Sequence, residues 1–128
     1  MALTYYIDAR CFNINEQNLI SDIIHDHRGW AGIGYAFRRV YDTTPQPDIV
    51  ILKLSRQQMR RKFAGRPDLK GLSVTSQGPD ASVIYIDDLN WRQPPEFFSG
   101  NLQLYRAYLI QHEVGHCLGF DHVPASVN

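Results

Sequence analysis

The order of hydrophobic patterns predicts an α/β (α+β) domain with about five strands: strand, helix, two strands, a short strand, a further strand and a long final helix. Two features carry that prediction. The run Ile49–Leu52 is aliphatic throughout, as a strand in the middle of a sheet is. The last helix is apolar on two faces, which predicts burial against the sheet. Length agrees: 128 residues and 14.7 kDa make one domain, large enough to hide roughly two thirds of its unfolded surface without staples. Hydrophobic residues at 44% and charged residues at 20% are those of a globular chain.

Leu3–Ile7, with Thr4, Tyr5 and Tyr6, reads as the first strand. Asn13 stands three residues before Glu16, a capping box that opens a helix. Leu19, Ile20, Ile23 and Ile24 form its buried stripe, and Gly29 stops it. Ile33, Tyr35 and Phe37 alternate through Gly32–Val40 and predict a half-buried strand, with Pro45 and Pro47 in the turn that follows. Ile49–Leu54 is predicted central and covered on both faces. Ser55–Lys70 is polar and reads as a solvated loop. Leu72–Thr75 reads as a short strand, Gln77–Asp80 as a turn and Ser82–Ile86 as the last strong strand. Pro94 and Pro95 mark a loop, after which a helix begins near Ser99 or Gly100. Tyr105, Tyr108, Leu109, His112 and His116 share one side of it, with Ile110, Val114 and Cys117 on another.

Composition excludes several classes of partner. Thirteen basic residues balance thirteen acidic ones, which removes the electrostatic case for nucleic acid or anionic membrane. No apolar run approaches the length of a membrane span. Met1–Arg10 places no basic region ahead of an apolar stretch and is not read as a signal peptide. Cys11 and Cys117 are too few for a disulfide framework.

The chemistry concentrates near the carboxyl end. Three of the five histidines fall within His112-Glu113-Val114-Gly115-His116-Cys117-Leu118-Gly119-Phe120-Asp121-His122. One helical turn separates His112 from His116, so both imidazoles project from one face and can bind one ion. Gly119 suits a left-handed helix end that turns the chain and brings His122 round as third ligand. Three protein ligands leave one tetrahedral zinc position for water, the mark of a catalytic site. Glu113 stands ready to take a proton from that water.

The pattern resembles the metzincin zinc peptidases, whose motif is H-E-x-x-H-x-x-G-x-x-H, and all five fixed positions match. The resemblance implies one zinc per chain, a peptide or protein substrate, and the family's upper subdomain: a twisted mixed sheet, a backing helix and an active-site helix. It also implies a short antiparallel edge strand that binds extended peptide. By position that strand is Leu72, Ser73, Val74 and Thr75, with Ser82–Ile86 as its inner neighbour. A closer similarity, covering most of the chain, is to a metzincin-like domain family found mainly in actinobacteria. It runs through Arg28-Gly29-Trp30, Phe37–Val40 with Asp48–Val50, and Tyr105–Tyr108 through to His116. One departure stands out. Met1 and Met59 both precede the motif, so the family's methionine turn and lower subdomain have no counterpart in residues 1–128. The expectation is a single domain with an open zinc face, Val123–Asn128 being its least ordered part.

Other residues invite chemistry less strongly. His25 and His27 read as solvated residues at a helix end, Cys117 as a small buried residue and Asp121 as either a ligand-orienting acceptor or a surface carboxylate. Asp87 and Asp88 read as caps, Trp30 and Trp91 as core anchors, and Phe97-Phe98 as the best candidate for an exposed recognition surface. The functional expectation is a zinc-dependent endopeptidase with Glu113 as general base. The alternative is a zinc-bound, peptidase-like interaction module of weak or no activity.

Overall fold

The computed structural model describes residues 1–65, 74–78, 81–94, 96–98 and 100–120, with Val74, Gln77 and Phe97 described by backbone alone. These residues form a mixed α/β fold of five strands and four α-helices. The strands are β1 (Leu3–Ile7), β2 (Phe37–Val40), β3 (Ile49–Leu54), β4 (Val74–Gln77) and β5 (Ser82–Asp87); the helices are α1 (Ile14–His25), α2 (Arg56–Lys62), α3 (Asp88–Arg92) and α4 (Leu102–Cys117). The sheet order is β2-β1-β3-β5-β4. All neighbours run parallel except β4, which pairs antiparallel with β5 at the edge.

The α1 capping box forms as expected. The Asn13 side chain accepts from the Glu16 amide at 2.8 Å, and the Glu16 carboxylate accepts from the Asn13 amide at 2.9 Å. Ile20, Ile23 and Ile24 of α1 are buried with Tyr5 and Ile51 of the sheet and with Leu109, Ile110 and Val114 of α4 in one core. Strand β3 is central, as its aliphatic run predicts. Only one of its faces is sealed: Ile49 and Ile51 are buried, while Val50 and Leu52 are partly exposed.

Two segments depart from the sequence reading. The strand expected over Gly32–Val40 is present only as β2. Its first part is a 3-10 turn, Trp30–Ile33, closed by Gly34 at φ 109°, and Ile33 faces solvent. The cause is tertiary: the Trp30 indole donates to the Gln111 carbonyl at 2.7 Å and draws this segment onto α4. The solvated loop expected from Ser55 begins instead with helix α2. Ser55 and Gln58 form a second capping box and Met59 fills the core side. A single apolar residue in seven gave no periodicity to read. Asp87 does cap, but as the N-cap of α3 rather than of a loop.

The short edge strand lies two residues later than expected. Val74 and Thr75 fall on β4, whereas Leu72 and Ser73 lie outside the described residues. Helix α4 starts behind Asn101, whose side chain accepts from the Leu104 amide at 3.0 Å. Among the described residues, no helix is long and apolar enough to cross a membrane.

Candidate metal centre

Helix α4 packs on α1, β4 and β5, and its last turns carry the histidines. The Nε2 atoms of His112 and His116 stand 3.3 Å apart, with ring planes at 88°. Two nitrogens each about 2.0–2.1 Å from a tetrahedral zinc would be separated by about 3.3–3.4 Å. The observed separation is that of two nitrogens on one such ion.

The chain fixes which nitrogen of His116 is available. Its Nδ1 lies 2.8 Å from the Phe120 carbonyl, and a carbonyl only accepts, so Nδ1 carries the proton. In the neutral ring Nε2 then holds the lone pair a metal needs. A ligand histidine held by its other nitrogen is the usual support in metal sites. The Phe120 carbonyl reaches this place because Gly119 adopts φ 96°. That left-handed residue lets the Gly119 amide bond the His116 carbonyl and the Phe120 amide bond the Gly115 carbonyl, each at 3.0 Å, which is a Schellman helix end.

Aromatic rings support the same turn. The Phe120 ring stacks on Trp30 at 4.9 Å, and His112 stacks on Tyr108 at 5.6 Å. Gly115 gives Trp30 its room: a Cβ there would lie 2.7 Å from the indole Cζ2. A groove of about 920 Å³ opens beside His112, with Trp30, Ile33, Leu104 and Tyr108 in its walls.

Glu113 projects toward the sheet and is only 4% exposed. The Thr75 hydroxyl on β4 donates to its Oε1 at 2.8 Å. Burial pushes the Glu113 carboxyl up to about 7, and the Thr75 hydrogen bond opposes that rise. A carboxylate near neutrality is suited to accept and then return a proton. Burial likewise pushes the Cys117 thiol up to about 12. Cys117 therefore remains a small, largely buried thiol, as the sequence suggests.

His122 and Asp121 lie outside the described residues, as does the tail Val123–Asn128. Among the described residues, no group of three or more His, Cys, Asp or Glu side chains is placed to hold a metal. What is brought together is the pair of imidazoles; Glu113, next to His112 in the chain, turns its buried carboxyl to Thr75 on β4. His25 is engaged elsewhere, with its Nε2 2.9 Å from the Tyr5 hydroxyl. Of the Phe97-Phe98 pair, Phe98 is partly buried, packing edge-on against Tyr105 at 5.0 Å, and the side chain of Phe97 lies outside the described residues. In the basic stretch, Arg56 binds Asp87 and Asn90, and Lys62 sits over the Tyr85 ring.

Sequence reasoning missed the Thr75–Glu113 bond and the Trp30 clamp. Gly115 is the one local sign of the clamp, a glycine inside an otherwise good helix. A family model described as "Protein of unknown function (DUF3152)" matches residues 7–128. No curated protein matches the chain.

Proposed function

The chain belongs to the DUF3152 family, and from its paired imidazoles and buried glutamate we propose a zinc-dependent endopeptidase of metzincin type. The observation that carries this reading is the 3.3 Å separation of the His112 and His116 Nε2 atoms, in a helix end that also sets the His116 tautomer. The sheet adds support. A parallel array with one antiparallel edge strand beside the histidine helix is the arrangement that the resemblance implies for an upper subdomain.

His112 and His116 would hold the ion, with His122 as the expected third ligand. When bound, zinc would lower the pKa of a water and polarise the scissile carbonyl. The chain's own residues do the rest. Substrate pairs in extended form with the edge of β4, adding a strand to the sheet. Glu113 removes the proton from the attacking water and returns it to the leaving amine, acting as base and then acid.

Metal analysis of the dialysed chain, paired with hydrolysis of fluorescein-labelled casein, tests the reading. One equivalent of zinc is expected, lost in His112→Ala and His116→Ala, together with turnover that a chelator stops and zinc restores. A chain that takes up no zinc overturns the reading. One that binds zinc tightly yet cleaves nothing is the interaction module instead.

A further inference from the structure

The geometry points to Thr75 as the positioning residue for Glu113: its hydroxyl reserves Oε1, so that Oε2 is the oxygen that carries the proton. This rests on the peptidase reading above and assigns Thr75 a task different from contacting substrate.

Cross-strand partners in a sheet share a face. Thr75 is paired with Ile84, a fully buried residue of the core, so the Thr75 side chain faces inward with Ile84. There its Oγ1 lies 2.8 Å from Glu113 Oε1 and 3.3 Å from the Glu113 backbone carbonyl. A hydroxyl has one hydrogen, and the shorter contact to the more basic acceptor takes it. Threonine is also stiff about χ1, so the donor is held in place before substrate arrives.

The consequence concerns which oxygen reacts. With Oε1 occupied, proton transfer from the attacking water goes to Oε2. The water's O–H bond breaks, its oxygen pair forms the bond to the carbonyl carbon as the C=O π pair moves onto the carbonyl oxygen, and an O–H bond forms at Oε2. When the oxygen pair re-forms C=O and the C–N bond breaks, Oε2–H gives its proton to the leaving nitrogen and the carboxylate returns. Throughout, Oε1 remains an acceptor and the Thr75 hydrogen bond never has to reverse. Loss of the hydroxyl frees the carboxylate to rotate, which lowers the fraction poised for transfer.

The test compares Thr75→Val, Thr75→Ala and Thr75→Ser with the wild-type chain, each loaded with zinc and assayed on labelled casein. Valine keeps the shape and removes the donor, alanine removes both, and serine keeps the donor. The expected result is a kcat about tenfold lower in the valine and alanine variants, part of what a general base contributes. KM should be unchanged, and serine should recover activity to within about threefold of the wild type. Zinc affinity should be equal in all four, since the bonds described for Thr75 go to Glu113 alone.

A second readout needs no turnover. In 13C-labelled, metal-free protein the Glu113 δ-carbon resonance, assigned by its loss in Glu113→Gln, should shift in valine and alanine variants but not in serine. An unchanged resonance, an unchanged kcat or a fall in zinc affinity in both valine and alanine variants overturns the assignment. Absence of turnover in the wild-type chain overturns the peptidase reading instead, and the resonance then decides by itself whether Thr75 holds the carboxylate.

Discussion

Asp87 and Glu113 are both carboxylates withdrawn from water, at 0% and 4% exposure, yet their surroundings differ. Asp87 ends β5 and accepts from the Leu89 amide at 2.9 Å, the Asn90 amide at 3.1 Å and the Arg56 guanidinium at 3.2 Å. Glu113 sits in α4 and, among the described residues, receives one side-chain hydroxyl, that of Thr75. A buried charge is tolerated when donors replace the water it loses. At Asp87 they do, and the carboxylate starts a helix. At Glu113 they replace little, and burial pushes the group up to about 7. The poorly compensated carboxylate is the one that follows His112 in the chain and that is proposed above as the general base.

Substitution at Glu113, the carboxylate proposed as general base, should have the largest effect. Glu113→Gln keeps size and hydrogen bonding but removes the base. Hydrolysis by the zinc-loaded chain should fall by about 10² to 10⁴, with zinc content unchanged on metal analysis. Equal turnover would erase the contrast with Asp87. The converse change, Asp87→Ala, should leave zinc binding intact and instead cost about 2–3 kcal/mol of stability, from a lost cap and an orphaned guanidinium. In a domain this size that is roughly a 10 °C fall in melting temperature, readable by thermal denaturation. Unchanged melting would show that Asp87 is dispensable to the fold.

The pH dependence sharpens the contrast further. Glu113 is raised from its ordinary 4.5 to about 7, so the folded chain favours its protonated form. Its contribution to stability is complete below about 4.5 and is lost as pH rises through about 7. In chelator-treated protein, Glu113→Gln should therefore gain stability relative to the wild type between pH 5 and pH 8, measured by urea denaturation. Parallel profiles for the two proteins would mean that Glu113 is not held out of water.

The smallest effect belongs to the helix that carries Glu113. Replacing glycine by alanine inside a helix ordinarily gains about 1 kcal/mol. At Gly115 the new Cβ would lie 2.7 Å from the Trp30 indole, and displacing the ring costs about 1–3 kcal/mol. Gly115→Ala should come out destabilised by about 1 kcal/mol in a denaturant titration. A net gain would show that the indole yields freely.

Sequence periodicity and caps made α1, the central strand and α4 legible, because each has a long apolar stripe or a local side-chain signal. Asn13 and Glu16 announce their helix within four residues. The region Trp30–Ile33 was illegible for the opposite reason: its conformation depends on a bond to Gln111, 81 positions away. Helix α2 has too little apolar surface to pattern, and only Met59 turns inward. In the site, the spacing of His112, Glu113 and His116 is written in the helical repeat and the left-handed Gly119 in its type. The Thr75 donor comes from a strand that shares no local pattern with α4. Only the antiparallel register of β4 on β5 delivers it.

The chain has two tryptophans, and they report on different things. Trp91 is fully buried and donates to Glu16 at 2.6 Å, inside the core on the α1 side. Trp30 lies against the face of Gly115, bonds the Gln111 carbonyl and stacks on Phe120, whose own carbonyl holds His116. The last turn of α4 thus meets the π-surface of Trp30, whereas Trp91 touches the same helix near its start, where Arg106 lies over its ring at 4.1 Å. The two indoles sit at opposite ends of one helix, Trp30 against the histidine turn and Trp91 against its first turns.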